Sequence, residues 1–142
     1  MMISTRGRYA LRVMIDLAVH DGGDYLPLRD IAARQDISLK YLEQIIALLH
    51  RSGFLVSQRG SCGGYRLARA PEDYTAGDIL TAAEGSLAPT ACADGAAGDC
   101  ARSEQCAALP FWNDYYRTVM TFVDSVTLRD LAEQARAMED RA

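Results

Sequence analysis

The sequence predicts a mainly α-helical protein with one small β-hairpin, and three observations support this fold class. Apolar residues recur at helical spacing through most of the first 53 residues. Two strand-like runs on either side of a glycine-containing turn then interrupt the helical pattern. A long segment crowded with apolar and aromatic side chains follows in the second half.

Three helices are predicted before the hairpin, over about residues 6–20, 27–36 and 38–52. The third has the clearest boundaries, because Ser38 is a favoured N-cap and Gly53 stands where a left-handed residue ends a helix.

The rest of the chain predicts a hairpin, a short helix, an irregular stretch and two more helices. The hairpin pairs residues 54–58 with 65–68, and Thr75 and Gly85 bound the short helix. Residues 88–105 show no periodicity. The aromatic-rich helix covers about 109–126, and a last short helix begins at Thr127.

The distribution of charge predicts that only one half of the chain meets phosphate. The net charge is −4, but residues 1–70 hold ten Lys/Arg and six Asp/Glu, a net of +4, whereas residues 71–142 hold five and thirteen, a net of −8. No signal-peptide pattern opens the sequence and no apolar run has transmembrane length, so we expect a cytoplasmic protein without a membrane partner.

Three helices followed by a hairpin form the order of a winged helix-turn-helix, whose third helix enters the major groove of double-stranded DNA. The side chains expected to contact bases or phosphates lie on that helix, on the hairpin and before the first helix: Arg6, Arg8, Ser38, Lys40, Tyr41, Glu43, Gln44, Arg59 and Ser61. The alternative is that these charged and polar residues form an ordinary solvated surface, because glycine-rich hairpins and amphipathic helices are common.

Three cysteines in and beside the irregular stretch predict a sensor site. Seven residues separate Cys92 from Cys100, and five separate Cys100 from Cys106. Thiolates are the soft ligands of iron–sulfur clusters, and cysteines of a reducing compartment seldom form disulfides. Three free thiols or a zinc site remain alternatives. A fourth cysteine, Cys62, lies in the hairpin turn, either as a small tolerated residue or as a redox-sensitive thiol beside arginines.

Several motifs together resemble one family. They are ISTRGRYA at residues 3–10, LRDIA at 28–32, QDISLKYLEQ at 35–44, RGSCGGY at 59–65, Trp112 and TLRDL at 127–131. In this order and over nearly the whole chain they resemble the IscR/CymR/NsrR family of bacterial winged-helix transcriptional regulators, and most of all its iron–sulfur members of the IscR type.

The resemblance implies a homodimeric, non-enzymatic repressor that binds a palindromic operator and carries an iron–sulfur cluster on its three cysteines. A [2Fe–2S] cluster is expected ahead of [4Fe–4S]. It also implies three parts: a DNA-binding domain at 1–85, a sensor loop at 86–108, and a dimerisation helix with a short last helix at 109–142. An intrachain core is the alternative role for the aromatic helix.

The fourth cluster ligand does not carry over from the family. Leu109 and Arg8 occupy the two positions where relatives supply one, and neither side chain can ligate iron. Asp94, Asp99 and Glu104 are nearby oxygen donors.

Two other functional classes compete with the cluster sensor. One is a thiol oxidoreductase or cluster carrier, for which the sequence offers no acid–base pair, phosphate loop or nucleophile–histidine arrangement. The other is a cluster-free regulator of the CymR type, controlled by a protein partner or by thiol oxidation.

Overall fold

A computed structural model of the chain describes residues 2–95 and 100–142. The elements follow one another as α1 (Thr5–Val19), α2 (Leu28–Gln35), α3 (Leu39–Arg51), β1 (Leu55–Gln58), β2 (Gly64–Leu67), α4 (Ala76–Glu84), α5 (Leu109–Ser125) and α6 (Leu128–Glu139). Short 3-10 helices lie at Pro71–Asp73, Ala91–Asp94 and Ser103–Gln105. The predicted fold class, mainly helical with a small β wing, is confirmed.

Side-chain caps fix where several of these helices begin. Ser38 accepts a hydrogen bond from the backbone N–H of Tyr41 at the start of α3. Thr75 and Thr127 each form a reciprocal capping box with the aspartate three residues later. The three predicted N-termini are therefore confirmed, because capping depends on residues close together in the sequence.

The core is built around α1, which contacts α2, α3, α4 and α6. Its largest fully buried side chains come from most of the helices and from the segment after the hairpin: Val13, Met14, Leu17, Ile31, Leu42, Ile45, Ile46, Leu49, Tyr74, Ile79 and Leu128. The first three helices and the hairpin thus share a single apolar centre.

An ion pair between the buried Asp16 and the exposed Arg34 joins α1 to α2. Asp16 is 4% exposed, and its carboxylate accepts hydrogen bonds from the Arg34 guanidinium at 2.7–3.2 Å and from the Gln35 amide at 2.9 Å. The hydrogen bond to Asp16 raises the pKa of Arg34 above its usual value. The pair helps to fix the relative position of the first two helices, since loss of Arg34 would leave the buried Asp16 carboxylate without its charged partner.

The hairpin is an antiparallel pair in which Leu55 lies opposite Leu67 and Gln58 opposite Gly64. A further bridge between Leu26 and Tyr65 attaches it to the segment before α2. Gly64 is required there, because it has a φ of +151° and an added Cβ would collide with the backbone of Leu26.

The last helix is longer than predicted. It spans twelve residues, whereas the sequence predicts only a short helix, and it packs on α1. Leu128 and Ala132 are buried in the core, and Arg136 donates hydrogen bonds to the carbonyl oxygens of Ala18 and Val19 at 3.0 and 3.3 Å. The apolar pattern is faint after Leu131 because small alanines and an arginine make these contacts.

The long helix α5 lies at the edge of the fold. None of its residues is buried, and among the described residues its main contacts are with α4 and the 3-10 helix Ala91–Asp94. Within residues 2–95 and 100–142, no helix is both long and apolar enough to cross a membrane.

Candidate functional site

The exposed side of α3 carries most of the predicted base contacts. Lys40, Glu43 and Gln44 are exposed, whereas Leu42, Ile45 and Ile46 on the opposite side are buried. Ser38 is exposed beside them, although its hydroxyl oxygen already caps the helix. The helix therefore presents one lysine, one carboxylate and one amide to solvent, which are side chains able to read base edges.

Tyr41 differs from its predicted neighbours because it is only half exposed. Its ring packs edge to face on the ring of Tyr9 in α1, with centroids 5.6 Å apart. The Arg12 guanidinium lies over the Tyr9 ring, 4.8 Å from the ring centroid. The Tyr41 hydroxyl remains a candidate contact, while its ring connects α3 to α1.

An open cleft brings α3 and the hairpin turn together. Its lining includes Glu43 of α3 and Ser61 of the turn, so the structure unites these two predicted residues. Two further lining residues, Arg29 and Leu39, are exposed and were not predicted as site residues. Leu39 had the correct spacing for the buried stripe of α3, but it is the first residue of the helix and extends beyond the core.

The hairpin turn presents Arg59, Ser61 and Cys62, all of them exposed. The strand behind the turn is held in place by Arg66, which donates a 2.7 Å hydrogen bond to the carbonyl of Gly23 and lies 4.5 Å from the centroid of the Tyr25 ring. Arg59 forms no ion pair with any of the residues that the structure describes, and it lies on an anchored hairpin, which suits a contact with the DNA backbone.

The start of α1 presents the two other predicted phosphate contacts. Arg6 and Arg8 are both exposed on the first turns of the helix. The guanidinium of Arg8 donates a 3.1 Å hydrogen bond to the hydroxyl of Thr5. Basic side chains at this end of α1 are next to the Tyr9–Tyr41 contact, so this region is connected to α3.

The three cysteines occupy the segment between α4 and α5. Cys92 is half exposed on the 3-10 helix that packs against α5, and its sulfur lies 3.0 Å from the Thr90 hydroxyl. Cys100 and Cys106 are exposed. Cys106 lies three residues before α5, and its carbonyl oxygen accepts a hydrogen bond from the first N–H of that helix, on Leu109.

The donor set fits an iron–sulfur cluster chemically but is not assembled as a metal site. Three thiols match the soft ligands that such clusters take. Among the residues that the structure describes, however, no three His, Cys, Asp or Glu side chains converge as metal ligands would. The oxygen donors Asp94 and Glu104 are exposed in the same segment, and the third predicted donor, Asp99, lies outside the described residues.

A row of aromatic residues on α5 faces solvent. Phe111, Tyr115 and Phe122 are 60%, 41% and 66% exposed, and their spacing places them on one side of the helix. Trp112 and Tyr116, on the adjacent side, are half buried. Large exposed aromatic side chains in a continuous row are typical of a protein–protein interface.

An exposed α3, an anchored hairpin and basic residues at the start of α1 are the arrangement of a winged-helix transcriptional regulator. The chain matches the Rrf2 family, described as iron-dependent transcriptional regulators, over residues 3–134. It belongs to that family, and the recognised resemblance is confirmed.

Curated relatives support the assignment over nearly the full chain. The HTH-type transcriptional regulator IscR of Vibrio atlanticus is 35% identical over 98% of this chain and 79% of its own length. Protein rrf2 of Nitratidesulfovibrio vulgaris is 36% identical over 95% of this chain and 89% of its own.

Solved structures with the same fold include members of both named branches. CymR (YrzC), the global cysteine regulator of B. subtilis, is 36% identical with a TM-score of 0.80 and covers 94% of this chain and 98% of its own. T. potens IscR is 36% identical with a TM-score of 0.76 and covers 95% and 88%. The overall similarity to these structures therefore does not decide between a CymR-like and an IscR-like regulator. The segment that carries the cysteines has to distinguish them.

Proposed function

We propose that this chain is a homodimeric, cytoplasmic repressor whose binding to a palindromic operator depends on an iron–sulfur cluster held by Cys92, Cys100 and Cys106. The cluster reports iron, redox or nitric-oxide status, and [2Fe–2S] is favoured over [4Fe–4S]. The observation that carries the proposal is the position of the three thiols, which lie between α4 and α5 and beside the helix proposed as the dimer interface.

DNA binding would use α3 for bases and the basic residues around it for phosphates. Lys40, Glu43 and Gln44 lie on the exposed side of α3, where they suit guanine, cytosine and adenine edges respectively. Arg59 on the wing and the arginines at the start of α1 suit the sugar–phosphate backbone. A dimer with two such surfaces reads two half-sites related by a two-fold axis.

The dimer would form through the exposed aromatic row of α5. The row that includes Phe111, Tyr115 and Phe122 is too apolar for a solvent-facing helix, and α5 has no buried residue in one copy of the chain. A two-fold contact between two α5 helices would cover both rows with the same surface.

Cluster binding would affect the DNA-binding elements by ordering the cysteine segment, which lies between α4 and α5, against α5. The thiols are separated in the described conformation, so the segment has to rearrange to bring them together. The helix α5 packs on α4, and α4 packs on α1. The cluster state changes DNA affinity only to the extent that the two arrangements of this unit differ in stability with and without cluster.

A cluster-free regulator of the CymR type is the second candidate, and one observation favours it. Because the three sulfurs do not converge among the described residues, they are also compatible with independent reduced thiols. Such a regulator would respond to a protein partner or to thiol oxidation, with the exposed Cys62 of the wing as a possible redox site.

Anaerobic purification followed by visible spectroscopy and analysis of iron and sulfide separates the two candidates. We expect a coloured wild-type protein and loss of the absorption bands in Cys92→Ala, Cys100→Ala and Cys106→Ala, with Cys62→Ala as the matched control that keeps them. A wild-type protein that stays colourless after cluster reconstitution would contradict the cluster proposal and leave the second candidate.

A further inference from the structure

Glu84 joins the cysteine segment to the start of α1. It is the last residue of α4, immediately before the predicted sensor segment at 86–108 begins beyond Gly85. One oxygen of its carboxylate accepts hydrogen bonds from both the backbone N–H and the hydroxyl of Ser4, at 3.0 and 2.6 Å. Ser4 is the N-cap of α1, so the contact joins the two ends of the DNA-binding unit across 80 positions of sequence.

A glycine in α1 makes room for this carboxylate. Gly7 is buried, and a Cβ at that position would collide with the Glu84 carboxylate and lie 2.8 Å from a side-chain carbon of Ile3. A glycine inside a helix is unfavourable relative to alanine unless a close approach requires it. The close approach of the Glu84 carboxylate therefore explains why a glycine stands between Arg6 and Arg8.

The charges near Glu84 make two possible roles of this residue predict opposite effects on DNA affinity. The first turn of α1, which is described in full, holds no acidic residue, so Glu84 supplies a carboxylate to the positive end of the helix. The same negative charge near Arg6 and Arg8 would repel DNA phosphates. If Glu84 acted only as a charge, removing it would strengthen DNA binding; if it positions the helix end, removing it would weaken binding.

We propose that Glu84 is a positioning residue for DNA binding, which holds the start of α1 so that Arg6 and Arg8 meet the phosphate backbone. This inference rests on the proposed function, in which those two arginines are phosphate contacts. Because Glu84 also ends α4, the same contact ties their position to the beginning of the cysteine segment.

The test measures DNA affinity against salt concentration by fluorescence anisotropy, with a 30-base-pair duplex enriched from a random pool by the wild-type protein. We expect Glu84→Ala to lose about five- to tenfold in affinity and to lower the salt slope by about one, as for the loss of one phosphate contact. Glu84→Gln should stay within about twofold of wild type, since its amide oxygen accepts the same two hydrogen bonds. The exposed Glu139→Ala is the charge control and should bind no more weakly than wild type.

A shorter side chain keeps the test decisive where Glu84→Ala does not fold. Glu84→Asp retains the charge but withdraws it from Ser4, so positioning predicts weaker binding and charge alone predicts no change. Glu84→Ala and Glu84→Asp variants that fold and bind as tightly as wild type would overturn the inference and leave the proposed function standing. A folded wild-type protein that enriches no duplex would overturn both.

Discussion

Truncation of Phe122 tests the proposed interface on α5. This side chain is 66% exposed in one copy of the chain, and it lines an apolar surface of α5 together with Thr118, Thr121 and Ser125. If the α5 helices of two copies pack together, each copy buries its own Phe122 in the same interface, so a single substitution acts twice.

The magnitude follows from the exposed area. Two thirds of a phenylalanine side chain is about 130 Å², which corresponds to about 3 kcal/mol of apolar burial in each copy. The two copies together would therefore lose about 6 kcal/mol of apolar burial. We expect about half of this loss, because alanine keeps the Cβ and the surrounding side chains partly close the gap. The remaining stabilisation of about 3 kcal/mol corresponds to about a hundredfold in the dimer dissociation constant.

Sedimentation equilibrium of the wild-type protein and Phe122→Ala measures this constant directly. Met138→Ala is a matched control, because Met138 is 67% exposed but lies on α6 rather than on the aromatic row. We expect the control to change dimerisation by less than about threefold, as for an ordinary surface substitution. Equal dissociation constants for the two variants would refute the assignment of α5 as the interface.

Two substitutions test polar contacts that stabilise the fold. Asp16→Asn should lower the free energy of unfolding by about 2–3 kcal/mol, because Arg34 loses its charged hydrogen-bond acceptor near the core; urea denaturation measures this, and a loss below about 0.5 kcal/mol would contradict the role given to the pair. Asp130→Asn should reduce stability at neutral pH, since hydrogen bonds from Thr127 lower the pKa of Asp130 below its usual value. The stabilisation by the charged Asp130 is fully present above a pH of about 4 and is lost as the pH falls through the lowered pKa. The difference in unfolding free energy between wild type and Asp130→Asn should therefore shrink in acid. A difference that stayed constant from neutral pH to a pH of about 3 would show that the charge plays no part.

Local features of the chain could be predicted well from the sequence. Ser38, Thr75 and Thr127 were identified as helix starts because a cap acts on backbone groups two or three residues away. The hairpin could be located for the same reason, since its glycine-containing turn and its strands are neighbours in the sequence.

Contacts between distant parts of the chain could not be predicted in the same way. The length of α6 was underestimated because Ala132 and Arg136 stabilise it through α1 rather than through a strong apolar stripe. Glu84 was missed because its partner Ser4 lies 80 residues away. The assignment of the cysteine segment to a cluster depends on chemistry and family resemblance, and its geometry in the described residues does not supply the missing fourth ligand.

The helix α1 is held at each end by a residue from a different part of the second half. Glu84, which precedes the cysteine segment, binds Ser4 at its start, and Arg136, which follows α5, binds the carbonyls of Ala18 and Val19 at its end. The cysteine segment and the proposed dimer helix lie between these two residues in the sequence. A rearrangement there alters the placement of α1, and with it the DNA-binding surface, only if it changes the stability of one of these two contacts or the packing of α4 on α1. Variants at Glu84 and Arg136 therefore test whether the coupling enters α1 at its start or at its end.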